Sequence, residues 1–341
     1  MTEIKQAVVM VGGKGTRLRP LTDNCPKPIL PVLDRPCLAY LIDSLVAGGI
    51  KHVILACGYR SEKVSDAIGY GEEFGIKIEY SYEDRPMGTA GAIKMLEGRL
   101  DDVFLAVNGD VFADISIKEE IETHLKTLSC VTISLTRVDN PCEFGIARVD
   151  DSGRISEFKE KPKQEEVFSN LINAGVYVIN KKVLKYVPKD AMYDFSKELV
   201  PILMKKGYRI QGHIIDGIWK DVGRPSDLLD TNLIMAERRF GEMEWEGQAD
   251  GSIIRKPFYI GEVGTATSSE IDSAVILSGS FVTNSKISRS LVLSGSSIAS
   301  SSLEKTIIGN DCRIVDSTIE DSVIADGSVI KGETIISNKR V

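Results

Sequence analysis

Twelve apolar residues near the end of the chain keep a fixed rhythm: Ile276, Val282, Ile287, then Val292, Ile298, Leu303, then Ile308, Ile314, Ile319, then Ile324, Ile330, Ile335. The steps are six, five and five residues, so each unit is 16 residues long. Ile260, Ala266 and Ile271 fit an earlier partial unit, and glycine recurs at Gly279, Gly295 and Gly327 with Asp311 in the remaining slot. Three inward apolar positions per unit describe a coil with three sides, stacked on copies of itself. An antiparallel sandwich of short strands has no reason to hold twelve positions in one register. The coils are expected to bury Ile, Val and Leu in a narrow core with serine-rich corners outside. Such a stack leaves its last coil open, and exposed coil edges are commonly met by another subunit. Homo-oligomerisation through this segment is therefore expected.

The first two thirds have a different texture. "AVVMV" (Ala7–Val11), "HVILAC" (His52–Cys57) and "VFLAVNGD" (Val103–Asp110) read as strands, and the segments between them carry helical spacing. This alternation argues for a mostly parallel sheet covered on both faces. "FGIARVDDSGRISEFKEKP" reads as a hairpin turned at Asp150–Gly153, and "PSDLLDTNLIMAERR" as the last helix before the texture changes at "GEMEWEGQADG". A chain of 341 residues exceeds what one core usually serves. The expected division is residues 1–240, a linker at 241–258, and the repeat at 259–341. The net charge of −7 argues against a nucleic-acid partner, so any anionic ligand must be met by a local cluster of cations. Six scattered cysteines without a C-x-x-C pair read as free thiols in a reducing compartment. The start of the chain does not read as a signal peptide, and no apolar run approaches the roughly 18 residues of a membrane span. A cytoplasmic protein with no membrane partner is expected.

"VVMVGGKGTRLRPLT" (Val8–Thr22) ends a strand in glycines and arginines. It is not a Walker A loop, which needs four residues between Gly and Gly-Lys-Ser/Thr. Nor does it match G-x-G-x-x-G, because Leu18 stands where the last glycine belongs. Pro20 argues against a helix running through it. What remains is an open loop of backbone N–H groups beside Arg17, with Lys27 held between two prolines ten residues on. Taken alone, the loop also reads as a tight turn with solvated charges. Asp110 closes a buried strand, where parallel sheets bind ligands, and equally reads as a strand-end turn. Asp221 follows an apolar stretch and could pair with its neighbours Lys220 or Arg224. "EFKEKPK" by itself is a charged surface run.

Together these residues carry a resemblance. "GGKGTRLRPLT" followed by "PKP", then "EDRPMGTAGA", "NGD", "FG", "EFKEKP", "NAG" and "WKDVGRPSD" stand in the order seen in sugar-1-phosphate nucleotidylyltransferases. The likeness runs over essentially the whole chain and is closest in motifs to mannose-1-phosphate guanylyltransferases; Val11 stands where alanine is frequent. The repeat resembles the left-handed β-helix of hexapeptide-repeat proteins, with shortened sides. The resemblance implies an α/β fold: a Rossmann-like, mixed, mostly parallel sheet followed by a C-terminal left-handed β-helix. It implies transfer of a nucleotidyl group from a nucleoside triphosphate to a sugar-1-phosphate, with GTP and mannose-1-phosphate foremost. Glucose-1-phosphate thymidylyl, uridylyl or adenylyl transfer is the alternative. Both substrates are polyanions, so catalysis is positioning and charge neutralisation. The implied roles follow. Arg17 and Lys27 are catalytic. Gly12, Gly13, Gly15 and Thr16 meet the triphosphate, with Glu83 and Gly88 near the base. Gly145, Glu160, Lys161, Asn173 and Gly175 hold the sugar phosphate, and Asp110 and Asp221 share Mg²⁺.

Other classes fare less well. A β-helix also occurs in acyltransferases, which usually need a histidine base inside it. Here His52, His124 and His213 all precede the repeat. A ligand-sensing, non-catalytic subunit tends to lose a metal aspartate or the loop arginine, and this chain keeps Asp110, Asp221, Arg17 and Lys27. No Ser/His/Asp or Cys/His nucleophile motif is present.

Overall fold

The computed structural model describes residues 3–13, 15–58, 61–240 and 250–337. Lys14 of the glycine loop, residues 241–249 of the expected linker and the last four residues lie outside these. By its contacts the chain groups into two compact units, Met1–Gly13 with Leu38–Trp219, and Lys14–Cys37 with Lys220–Val341. This differs from a linear cut at residue 240, because a short early segment and the helix before the expected linker group with the repeat.

The first unit is built on a nine-stranded mixed sheet. Its strands are β1 (Gln6–Val11), β2 (His52–Cys57), β3 (Lys77–Tyr82), β4 (Val103–Asn108), β5 (Val131–Arg137), β6 (Gly145–Val149), β7 (Ile155–Glu160), β8 (Leu171–Asn180) and β9 (Ile210–Ile214). Their order is β7-β6-β8-β4-β1-β2-β3, with β5 pairing both β8 and β9. β1 runs parallel to β2 and β4, β2 to β3, and β9 to β5. β8 is antiparallel to β4, β5 and β6, and β6 to β7. All six residues of β1 are buried, as expected of a central strand covered on both faces. Helices α1 (Cys37–Ala47), α2 (Ser61–Ile68), α3 (Gly88–Met95), α4 (Ile117–Thr127) and α5 (Val200–Lys205) connect the strands. The expected hairpin is present, closed by the Gly153 N–H on the Asp150 carbonyl at 2.8 Å. All six cysteines are free.

In the second unit the 16-residue period becomes register. Ala266, Val282, Ile298, Ile314 and Ile330 pair in sequence along one side. Ile271, Ile287, Leu303, Ile319 and Ile335 line the next, and Ile276, Val292, Ile308 and Ile324 the third. These residues form one apolar core, and every strand pair between coils is parallel, consistent with the expected left-handed β-helix. The strand Ile253–Ile260 pairs with the first full coil, so the stack begins before residue 259.

The serines correct the expectation that they face outward. Ser269, Ser285, Ser301 and Ser317 are at most 6% exposed. Each hydroxyl accepts the backbone N–H 16 residues on, Ser285 from Ser301 at 3.1 Å and Ser301 from Ser317 at 3.1 Å. A tight corner cannot satisfy all of its N–H groups with strand pairing, and a buried unpaired N–H costs about 1–3 kcal/mol. Serine is small enough to turn inward and supply the acceptor. Helix α6 (Pro225–Phe240) lies in the same unit. Its Asn232 amide accepts the Leu33 N–H at 2.7 Å and donates to the Pro31 carbonyl at 3.2 Å, tying the early segment to the helix.

Candidate functional site

In the second unit, Gly15 opens a single turn at Thr16–Leu18. Its φ of 58° and the carbonyl accepting Thr22 Oγ1 at 2.8 Å shape the turn. A Cβ at Gly15 would stand 3.0 Å from Thr22 Cγ2 and 3.3 Å from Lys27 Cβ, which explains the glycine. Leu18 is fully buried and anchors the loop, leaving Thr16 and Arg17 before it exposed. The Pro26–Ile29 segment holds Lys27 nearly buried, at 9% exposure. Its ammonium lies 3.1 Å from Asp221 Oδ1. A Cβ placed on Gly223 would be 3.0 Å from Arg17 Nη2 and 3.4 Å from Asp221 Oδ2, so both side chains border that glycine. Gly15, Thr16, Arg17, Lys27 and Asp221 thus belong to one constellation. Asp221 pairs with Lys27, which stands 194 positions away in the chain rather than beside it. Asp227 accepts the N–H groups of Gly223 at 3.1 Å and Arg224 at 2.7 Å, fixing the backbone beside Asp221.

In the first unit, Gly12 and Gly13 follow β1 as exposed backbone, and a Cβ on either would meet nothing within 4 Å. Gly13 has a φ of 116°, a conformation other residues rarely adopt. The neighbouring strand β4 ends at Asn108, paired with Met10. Gly109 then packs so closely that a Cβ would lie 2.6 Å from Val11 Cγ1, and Asp110 emerges half-exposed. Gly12, Gly13 and Asp110 therefore share the carboxyl edge of the parallel strands, where such sheets bind ligands.

Farther along that unit, Asn173 is locked in place. It donates to Tyr177 Oη at 2.7 Å and Ser196 Oγ at 2.9 Å, and its Oδ1 accepts the Gly175 N–H at 2.9 Å. Gly175, at φ 77°, leaves room for Asn108, whose Nδ2 would be 2.5 Å from a Cβ there. Asn108 Oδ1 is buried with no hydrogen-bond partner among the described residues. Gly145 lies against Glu160, with a hypothetical Cβ 2.6 Å from Glu160 Oε2. Burial pushes the Glu160 carboxyl up and nearby Asp194 adds to it, while Lys161 and Lys197 oppose the shift. Lys161 is exposed at a φ of 46°. Glu83 Oε2 accepts the Met87 N–H at 3.3 Å, just before Gly88, and burial raises its carboxyl too. Gly88 allows α3 to start against the Tyr193 carbonyl, 2.6 Å from a hypothetical Cβ.

Sequence reasoning passed over several neighbours. Trp219 donates its indole N–H to the Ala174 carbonyl at 2.8 Å and sets its ring edge-on to Phe144 at 5.9 Å. Asn108, Tyr177 and Ser196 complete the setting of Asn173 and Gly175. Trp219 and Asn108 stand inside the quoted "WKD" and "NGD" motifs, a usable signal; Tyr177 and Ser196 leave none. The two proposed metal ligands, Asp110 and Asp221, belong to different units. Among the described residues no three His, Cys, Asp or Glu side chains cluster to hold a metal, and no helix is long and apolar enough to cross a membrane.

The family model described as Nucleotidyl transferase matches residues 6–238. A mannose-1-phosphate guanylyltransferase of Mycobacterium tuberculosis is 37% identical over 225 residues, 65% of this chain and 62% of that protein. A mannose-1-phosphate guanyltransferase of Aspergillus oryzae is 37% identical over 67% of this chain and 64% of its own. A mannose-1-phosphate guanylyltransferase catalytic subunit beta of Danio rerio is 36% identical, with the same coverage. The matches thus span just under two thirds of these relatives' length. A solved structure of a putative glucose-1-phosphate thymidylyltransferase from Bacillus anthracis, in complex with a sucrose, superposes with a TM-score of 0.62 at 24% identity. It covers 71% of this chain and 98% of that one, a likeness of fold.

Proposed function

Since this chain belongs to the nucleotidyl transferase family, we propose that it joins a nucleoside triphosphate to a sugar-1-phosphate and releases pyrophosphate, with GTP and mannose-1-phosphate as the pair. The observation that carries the reading is the placement of Lys27, buried between two prolines on Asp221, with Arg17 bordering the same glycine. A charged lysine is rarely buried without purpose or partner. The choice of mannose and guanine rests on the names of the relatives at 36–37% identity.

In the reaction, a phosphate oxygen of the sugar-1-phosphate attacks the α-phosphorus. The bond to the bridging oxygen breaks, and pyrophosphate leaves with the electron pair. No protein nucleophile is needed. The exposed backbone of Gly12 and Gly13 receives the triphosphate, and Arg17 offsets charge that grows on the transferring and leaving groups. Lys27 orients the phosphates. Asn173, Gly175, Gly145, Glu160 and Lys161 take the sugar phosphate, with Glu160 accepting from its hydroxyls. The carboxylates of Asp110 and Asp221 are the hard oxygen donors Mg²⁺ prefers, and one or two carboxylates with substrate phosphates are a usual set. They would hold the ion, which supplies charge neutralisation when bound.

The test is pyrophosphate release from each nucleoside triphosphate against a panel of sugar-1-phosphates. Highest kcat/KM with GTP and mannose-1-phosphate is expected. Preference for another pair overturns the substrate assignment, and no release with any pair overturns the transferase reading.

A further inference from the structure

One segment of the first unit ties together two stretches assigned to different substrates. On the nucleotide side, α3 starts at Gly88. On the sugar side stand Asn173 and Glu160. Residues 190–196 pass between them. The Tyr193 N–H donates to the Met87 carbonyl at 2.9 Å, and the Tyr193 carbonyl accepts from Ala90 and Gly91, each at 3.0 Å. Thr89 adds a side-chain link: its hydroxyl donates to Asp194 Oδ2 at 3.1 Å and accepts the Phe195 N–H at 2.9 Å. At the sugar end, Ser196 Oγ accepts from the Asn173 amide at 2.9 Å.

Asp194 joins the two ends. Its Oδ1 accepts the N–H groups of Ser196 at 2.9 Å and Lys197 at 3.2 Å, capping the turn that carries Ser196. That turn, Phe195–Leu199, is a π turn, in which the Leu199 N–H reaches the Asp194 carbonyl five residues back at 3.1 Å. Such turns are frequent at functional sites. A cap alone does not call for aspartate, since serine, threonine or asparagine serves as well. Aspartate even has a cost here: burial raises the Glu160 carboxyl, and the nearby Asp194 charge raises it further. What aspartate adds is a second acceptor oxygen, which those residues lack and which Thr89 takes. The turn is also packed onto the sugar side. Phe195 stacks on Tyr177 with ring centroids 5.1 Å apart, and the Tyr177 hydroxyl accepts from Asn173 at 2.7 Å. A shift of the turn therefore moves Asn173.

We propose that Asp194 and Ser196 are positioning residues for the sugar phosphate, and that the Thr89–Asp194 contact couples them to the nucleotide side. Thr89 fixes Asp194, Asp194 fixes the turn, and Ser196 aims Asn173. A nucleotide that settles the start of α3 thereby readies Asn173, and by reciprocity a bound sugar phosphate tightens the nucleotide. The inference rests on the proposed function, which puts the base near Glu83 and Gly88 and the sugar phosphate near Asn173.

The test titrates the α,β-methylene analogue of GTP, which cannot be turned over, calorimetrically into the intact protein with Mg²⁺, without and with saturating mannose-1-phosphate. In the wild type the sugar phosphate is expected to tighten the analogue about fivefold or more. Thr89→Val keeps the shape and loses the hydroxyl, so the tightening should fall below about twofold while affinity for the analogue alone stays within about threefold. Thr89→Ser keeps the hydroxyl and should restore the tightening, a rescue that loss of packing alone would not give. Ser196→Ala should raise KM for mannose-1-phosphate about tenfold and leave KM for GTP within about twofold. The wild-type titration and Ser196→Ala keep the test decisive if Thr89→Val does not fold. No tightening in the wild type, undiminished tightening in Thr89→Val, or no rescue by Thr89→Ser overturns the coupling. Equal rises of both KM values in Ser196→Ala, or no rise, overturn the positioning role. Binding without coupling sinks this inference alone, whereas a wild type that binds neither ligand sinks the proposed function beneath it.

Discussion

Lys27 and Asp221 meet although 194 positions separate them. Their side chains are only 10% and 24% exposed, so removing one partner strands a charge with little water to replace it. If Asp110 and Asp221 share the metal, Asp110→Asn and Asp221→Asn should each lower turnover at least a hundredfold. Circular dichroism should stay unchanged. Near-normal pyrophosphate release from both folded variants sinks the metal assignment. Arg17 tests a different contact. Arg17→Lys keeps the charge but loses the planar fork that matches phosphate. Steady-state kinetics should show kcat falling at least tenfold with little change in KM for the nucleotide, because the contact strengthens as charge develops. A raised KM with kcat preserved would make Arg17 a ground-state anchor only.

At the scale of elements, α4 covers β5 with polar groups where an apolar stripe is the rule. Glu120 is 1% exposed and His124 4%. His124 Nδ1 is 2.9 Å from Thr132 Oγ1, while both Glu120 oxygens lack a hydrogen-bond partner among the described residues. Burial pushes the Glu120 carboxyl up to about 8 and the His124 imidazole down to about 4. The signs follow by linkage. Below about pH 4.5 Glu120 is protonated in both folded and unfolded chains and costs nothing. As pH rises from there towards 8 the unfolded chain ionises first and stability is lost. His124 acts on the other side: as pH falls from about 6.5 towards 4, the unfolded chain takes up a proton the folded one refuses. Urea denaturation of Glu120→Gln should therefore show a gain over wild type that grows between pH 5 and pH 8, by at most about 1.4 kcal/mol per unit. An equal difference at both pH values refutes the neutral, buried Glu120.

For the whole molecule, the division of contacts matters more than the order of segments. Asp34, in the early segment, accepts hydrogen bonds from the Tyr259 hydroxyl and the Ser278 N–H. The stretch bearing Arg17 and Lys27 is thus tied to the β-helix inside one unit. Asp34→Ala is expected to lower the melting temperature by several degrees and kcat several-fold, while Asp34→Asn, which keeps an acceptor oxygen, restores most of both. Equal effects of the two variants would remove Asp34 as a positioning residue. Val329 and Ile336 near the last described coil are 75% and 59% exposed. Apolar rims of this kind are usually covered by another chain, and light scattering of the intact protein at micromolar concentration should report a homo-oligomer. A strictly monomeric mass rejects assembly through residues 259–341.

The β-helix was almost fully legible as a string of letters. Its core positions recur at a constant step, and stacking turns that step directly into register, so one dimension contains the answer. The alternating strands and helices, the hairpin at Asp150–Gly153 and the glycine loop were legible for the same reason: each depends on neighbours within one element. Position in space was not. That Lys27 lies on Asp221, that Asn108 fills the room left by Gly175, and that residues 14–37 group with 220–341 are contacts between distant stretches, which leave no spacing to read. The inward serines depended on whether corner N–H groups found partners, a question only the closed coil poses.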